Sequence, residues 1–106
     1  MSSKLRRFEL LLPVRFNDGR DVPEEWIGDA LEEIIDRFGA VSFERRTIEG
    51  RWRYEGILYH DDLSRLIVDV PDKPQHRKWM RAFKARLKVK FEQLELWLIS
   101  YPIEFD

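Results

Sequence analysis

Cysteine is absent from the 106-residue chain, and histidine occurs only twice. Without thiols there is no disulfide, no thiolate zinc site, no iron–sulfur cluster and no cysteine nucleophile. Glycine and proline number five each, and no Gly/Ser/Pro linker, internal repeat or low-complexity tract interrupts the chain. That excludes collagen-like and mucin-like classes. Long apolar runs are missing too. Leu10 to Leu12 and Leu96 to Ile99 fall far short of the roughly 20 residues that cross a bilayer. The basic opening Met1-Ser2-Ser3-Lys4-Leu5-Arg6-Arg7 is not followed by the apolar stretch of a secretory signal. A soluble, cytoplasmic chain with no membrane association is expected.

What is present suits one packed core. Hydrophobic residues make up 43%, and four Trp, three Tyr and seven Phe argue against long disorder. The length allows one domain over residues 1–106 and no second one.

Phe8, Leu10, Leu12, Val14 and Phe16 share one parity while Glu9, Leu11, Pro13 and Arg15 take the other, which predicts a strand with one buried face. Pro13 has no N–H for a ladder, so it marks a bulge or a missing partner. Asn17-Asp18-Gly19 ends the strand in a turn. Asp21-Val22-Pro23-Glu24 opens a helix, with Asp21 placed to cap it. Trp26, Ile27, Ala30, Leu31, Ile34, Ile35 and Phe38 form its apolar stripe, and Gly39 suits its end.

Val41 to Val70 is rich in β-formers, with Gly50 and Gly56 suggesting bulges or a kink. The expected hairpin turn is His60-Asp61-Asp62-Leu63-Ser64, with Leu66 to Val70 returning. After Pro71-Asp72-Lys73-Pro74 a second helix carries Trp79, Phe83, Leu87, Phe91 and Leu94 on one face, with Met80 beside them. Leu96 to Phe105 closes the chain as a strand. The order β-α-β-β-α-β predicts an α+β, ferredoxin-like split β-α-β fold, a four-stranded antiparallel sheet with two helices on one face.

The net charge of −1 hides a separation. Asp21 to Asp36 carries seven acids and no Lys or Arg, whereas Lys73 to Lys90 carries eight cations and no acid. At about 100° per residue Arg77, Lys78, Arg81, Lys84 and Lys88 share one arc opposite the aromatic stripe. This arc is a solvated face, a docking face for a partner or a polyanion site. Nucleic acid is the least favoured, because the acidic helix on the same side repels a long duplex.

Chemistry-bearing motifs are sparse. His60, Asp61 and Asp62 form the densest potential metal-ligand cluster, but Asp-rich turns ordinarily bond their own backbone. His76 falls on the aromatic side of the second helix and reads as a packing or capping residue. Asp18 after the first strand reads as a turn residue rather than a nuclease metal ligand. Serine occurs only at 2, 3, 42, 64 and 100, with no triad spacing, and no phosphate-loop, dinucleotide, zincin or EF-hand pattern occurs. No catalytic residue, metal set or cofactor is assigned.

Two surfaces remain. Arg51, Trp52, Arg53 and Tyr54 supply aromatic and basic groups for an anionic or aromatic ligand, without the spacing of RNA-binding sheets. Leu11, Ile67 and one parity of the last strand (Trp97, Ile99, Tyr101, or else Leu96, Leu98) fall on the sheet face away from the helices. So apolar a face predicts a homodimer through the sheet. A binding or oligomerising module is therefore favoured over a small-ligand enzyme or sensor.

Asp18-Gly19, Phe38-Gly39, Gly50-Arg51-Trp52-Arg53, the Asp61/Asp62 turn and Phe91-Glu92-Gln93 together resemble a group of small bacterial domains of unknown function. The resemblance implies a ferredoxin-like fold and a bacterial, cytoplasmic origin; it brings no site residue.

Overall fold

The computed structural model describes residues 4–106. Strand β1 (Leu5–Pro13) leads to α1 (Glu24–Phe38), then β2 (Ser42–Tyr54), β3 (Ile57–Pro71), α2 (Pro74–Lys90) and β4 (Leu98–Ile103). Every pairing is antiparallel and the spatial order is β2-β3-β1-β4. This is the ferredoxin-like α+β arrangement that the element order predicts.

Strand alternation builds the core. The register sets Phe8 opposite Val68 and Leu10 opposite Leu66, so these side chains and Leu12 and Val70 point to one side. Ile27, Ala30 and Ile34 of α1 and Met80, Phe83 and Leu87 of α2 close over them, all buried. Fully burying one such side chain contributes about 1.5–3 kcal/mol, so this layer dominates the stability. At its rim Phe38 meets Trp79 edge-on with centroids 5.3 Å apart, and Trp79 stacks on Phe83 at 5.2 Å. Helix α1 ends as expected: Gly39 has φ 89°, and its N–H donates to the Ile35 carbonyl at 2.8 Å.

The hairpin reverses at Glu55-Gly56 and not at His60–Ser64. Tyr54 pairs with Ile57, which leaves a two-residue loop with φ 49° and 78°. Two consecutive left-handed residues make the primed turn whose twist matches the flanking strands. The acids of the expected turn do not bond their own backbone because partners from β2 and from the loop after β1 hold them. Trp52 Nε1 donates to Asp61 at 2.7 Å, and Arg15 donates to Asp62 at 2.8 Å. Because β1 stops at the Pro13–Leu63 pair, the β2–β3 hairpin continues alone for about 20 Å.

Other expectations shift at element ends. Asp21 does not cap α1: Pro23 occupies the N-cap with no side-chain cap bond, and Asp21 lies 3.5 Å from Arg15. The Phe16 N–H donates to the Arg20 carbonyl and the Val22 N–H to the Val14 carbonyl. A closed loop therefore takes up the residues expected to extend the first strand. β4 occupies only the middle of the predicted Leu96–Phe105 span, and Leu94 falls beyond α2 and is exposed. The irregularity in β2 lies between Glu44 and Ile48 rather than at Gly50. At Gly50 an added Cβ would sit 3.0 Å from Leu63 Cδ1, so the glycine makes room for that leucine. Among the described residues no helix is long and apolar enough to cross a membrane.

Candidate functional site

With both helices on one side, the odd-numbered residues of β1, β3 and β4 and the even-numbered ones of β2 form an open face. At one end of it, Leu11, Pro13, Leu63, Trp52 and Trp97 line an apolar groove of about 380 Å³. Trp97 is 63% exposed, and Ile99 and Tyr101 continue the parity along the edge. Leu96 and Leu98 turn into the core instead, which resolves the alternative left open for the last strand. The solitary hairpin adds exposed Tyr54, Ile57 and Leu58 at its tip.

The middle of the same face carries a polar network that the sequence does not announce. Tyr101 Oη donates to Glu9, Arg65 Nη1 donates to Glu9 at 3.0 Å, and Arg65 Nε lies 3.2 Å from Glu44. Alongside, Arg7 holds Asp69 through two bonds of 2.8 and 2.9 Å. Glu9 is only 9% exposed although no helix covers it. The Tyr101 hydrogen bond, then Arg65, holds its carboxyl below the usual range against desolvation, and the same bond pushes the Tyr101 hydroxyl up. Sequence parity places Glu9 on this face, but only the register brings Tyr101 and Arg65 to it.

The four residues expected to form a ligand platform divide between faces. Trp52 and Tyr54 lie on the open face, while Arg51 and Arg53 point to the other side, because strand side chains alternate. Trp52 stacks on Tyr59 with centroids 4.4 Å apart, and Arg51 binds Glu49 at 2.6 Å. His60 Nε2 also reaches Glu49, at 2.9 Å, so His60, Asp61 and Asp62 each have a different partner. Among the described residues no group of three or more His, Asp or Glu is placed to hold a metal ion. Asp18 accepts from the Arg20 backbone N–H at 3.0 Å and from its guanidinium at 2.6 Å, as a turn residue does.

The cationic arc of α2 is partly neutralised within the chain. Arg77 binds Asp72 at 2.9 Å, and Asp72 also takes Arg6 at 3.0 Å. Lys84 and Lys88 reach Glu95 at 2.9 and 3.9 Å. Among the described residues Lys78 and Arg81 make no ion pair. The acidic and basic helices meet through Arg86 and Glu33 at 2.6 Å. His76 packs edge-on against Phe38 at 5.3 Å with its Nδ1 buried and unpartnered, the packing role expected of it.

Comparison with solved structures finds the same fold at low sequence identity. The structure of CutA1 from Oryza sativa matches with a TM-score of 0.66 and 17% identity, over 99% of this chain and 84% of that one. A divalent cation tolerance protein (Cut A1) from Thermus thermophilus matches with a TM-score of 0.64 and 13% identity, over 96% and 86%. No family model and no curated protein matches the chain.

Proposed function

We propose that this chain is a non-catalytic binding module that self-associates through its open sheet face. One observation carries the reading: an apolar groove flanked by two tryptophans lies on a sheet face that no helix covers. An exposed apolar patch of this kind ordinarily marks an interface. A second copy fits it better than an acidic or basic partner. The open face carries both signs, with Arg7 and Arg65 already paired to Asp69, Glu9 and Glu44, so two identical faces meet without a large like-charge field. The smallest closed assembly is a two-fold dimer, and the apolar hairpin tip gives each copy an arm to lay on the next. Apolar burial supplies the affinity, and the paired charges fix the orientation.

Light scattering over a range of protein concentrations, at low and moderate salt, tests this. The expected result is a mass that is a multiple of the monomer's and insensitive to salt, falling to the monomer in Trp97→Ser. A monomer throughout, in both salt conditions, overturns it. The groove volume also suits a small ligand. A monomeric chain whose melting temperature rises with a small aromatic compound, and not in Trp97→Ser, would favour that second reading.

A further inference from the structure

Between α2 and the edge strand β4 lies a second cleft, of about 360 Å³, on the opposite side of the sheet from the apolar groove. Arg77, Arg81 and Lys84 line it together with Ser100, over an apolar floor of Phe8 and Leu98. The three cations are successive members of the α2 arc, at i, i+4 and i+7, so the helix repeat aims them at one place. Lys78 and Lys88 belong to the same arc but not to the cleft.

Charge in and around the cleft is unbalanced. Arg6 and Arg77 share Asp72, and Lys84 and Lys88 share Glu95, while Arg81 has no carboxylate partner among the described residues. Five cations against two carboxylates leave an excess of positive charge. Arg77 also has donors to spare: its Nη2 goes to Asp72, and its Nη1 makes no hydrogen bond among the described residues. Ser100 Oγ accepts from Arg6 Nη1 at 3.0 Å, which leaves the hydroxyl proton to donate elsewhere. The edge strand adds backbone donors. The Trp97 carbonyl accepts from the Leu11 N–H, so odd-numbered β4 residues face β1 and the N–H groups of Leu98 and Ser100 turn outward.

We propose that this cleft binds a small phosphorylated ligand, with Arg81, Arg77 and Lys84 taking the phosphoryl oxygens and Ser100 donating a further hydrogen bond. Guanidinium forks match the geometry of phosphoryl oxygens, and charge-assisted bonds to them are the strong class of hydrogen bond. The Phe8 and Leu98 floor leaves room for an apolar portion of the ligand beside the charged group. An extended nucleic acid is not the occupant: the cleft is ligand-sized, and α1 on the same side carries seven acidic residues from Asp21 to Asp36.

Calorimetric titration with pyrophosphate at low ionic strength tests the assignment. The expected result is saturable binding that weakens as salt is raised and drops about tenfold in Arg81→Gln, the loss of one charge-assisted bond. Lys84→Gln, which also has an exposed partner to lose, gives a comparable drop, and Lys78→Gln leaves binding unchanged. Arg81 is exposed and unpaired, so its variant keeps the fold, and an unchanged melting temperature verifies that. No saturable binding, an unaffected Arg81→Gln, or a Lys78→Gln loss equal to that of Arg81→Gln overturns the proposal. The last result would mean a diffuse attraction to the helix rather than a site.

Discussion

Substituting the two hairpin-tip residues gives effects whose signs locate the chain reversal. Gly56 has φ 78°, and an added Cβ there meets nothing within 4 Å. The cost of Gly56→Ala is therefore conformational and not steric. Left-handed backbone costs an L-residue about 1–2 kcal/mol, and the smaller entropy of the unfolded alanine chain returns about 0.4–1 kcal/mol. The net expectation is a loss of roughly 1 kcal/mol, or about 4 °C in melting temperature for a chain of this size. Glu55 has φ 49° without the tolerance of asparagine, so Glu55→Asn is expected to gain about 0.5–1 kcal/mol in the same turn. Urea denaturation at fixed protein concentration reads both, with tryptophan fluorescence including that of Trp52 within the arm. If the reversal lay at His60–Ser64 instead, Gly56 would be a mid-strand glycine, and alanine would stabilise by about 0.5–1 kcal/mol. A stabilising Gly56→Ala refutes the turn assignment outright.

Three further outcomes follow from the packing and the charges. Phe83→Ala empties the centre of a fully buried site between α2 and the sheet and should cost about 3–5 kcal/mol by denaturant titration. A cost under about 1 kcal/mol would mean that the site collapses around the void. Burial, then Arg37 and Lys73, pushes the His76 pKa down, so the unfolded chain binds the extra proton. Stability is then full above the ordinary histidine value of about 6.5 and falls as pH drops below it. His76→Phe, which keeps the packing on Phe38, should flatten that slope as pH falls below about 6.5, and an unchanged slope assigns it elsewhere. Glu9 is held low by Tyr101, so its contribution is present above the usual carboxylate range and lost as pH falls through its folded value. Tyr101 is held high by Glu9, so its contribution disappears as pH rises through its own folded value. Tyr101→Phe should therefore remove the alkaline loss, and an ultraviolet titration that shows no tyrosine displaced above the usual value would contradict the bond.

Much of this fold is legible in the order of its residues because local periodicity and tertiary burial agree. The α1 stripe from Trp26 to Phe38, its glycine stop and the even parity of β1 all survive into the structure. The hairpin turn is misplaced by sequence reasoning for a definite reason. Asp61-Asp62 is strong turn chemistry in isolation, and Glu55 is a poor residue for a left-handed position, so local preference points the wrong way. Trp52 and Arg15 decide the matter through long-range bonds that no local pattern shows. The same limit separates the two surfaces. The cationic arc can be drawn from helix geometry, but Arg77, Arg81 and Lys84 meet a cleft, and Lys78 does not, only because β4 passes beneath one side of α2. Likewise Glu9, Tyr101 and Arg65 lie in three different strands, and pairing register alone unites them.

The contrast between the two sheet faces bears directly on self-association. A face that meets only water becomes polar along each strand, and a face that meets helices becomes apolar. The helix side follows the second rule with Phe8, Leu10, Leu12, Leu66, Val68 and Val70. The open side follows neither: Leu11, Leu63, Ile67, Ile99 and Trp97 flank a charged centre whose members are bonded to one another. Polar groups mostly bonded to one another and flanked by apolar residues suit a surface that loses its water, since desolvation is costly chiefly for groups left unpaired, and in this network Arg65 Nε is the buried atom without a hydrogen-bond partner. Breaking the apolar flank and breaking the centre should therefore act differently on the proposed association. If the proposed association uses this face, Trp97→Ser removes apolar contact and should weaken it, whereas Glu9→Gln leaves the Arg65 guanidinium with Glu44 as its one carboxylate, a cost that grows once the face is covered. A Glu9→Gln chain that associates as tightly as the wild type would show that the centre of this face stays wet.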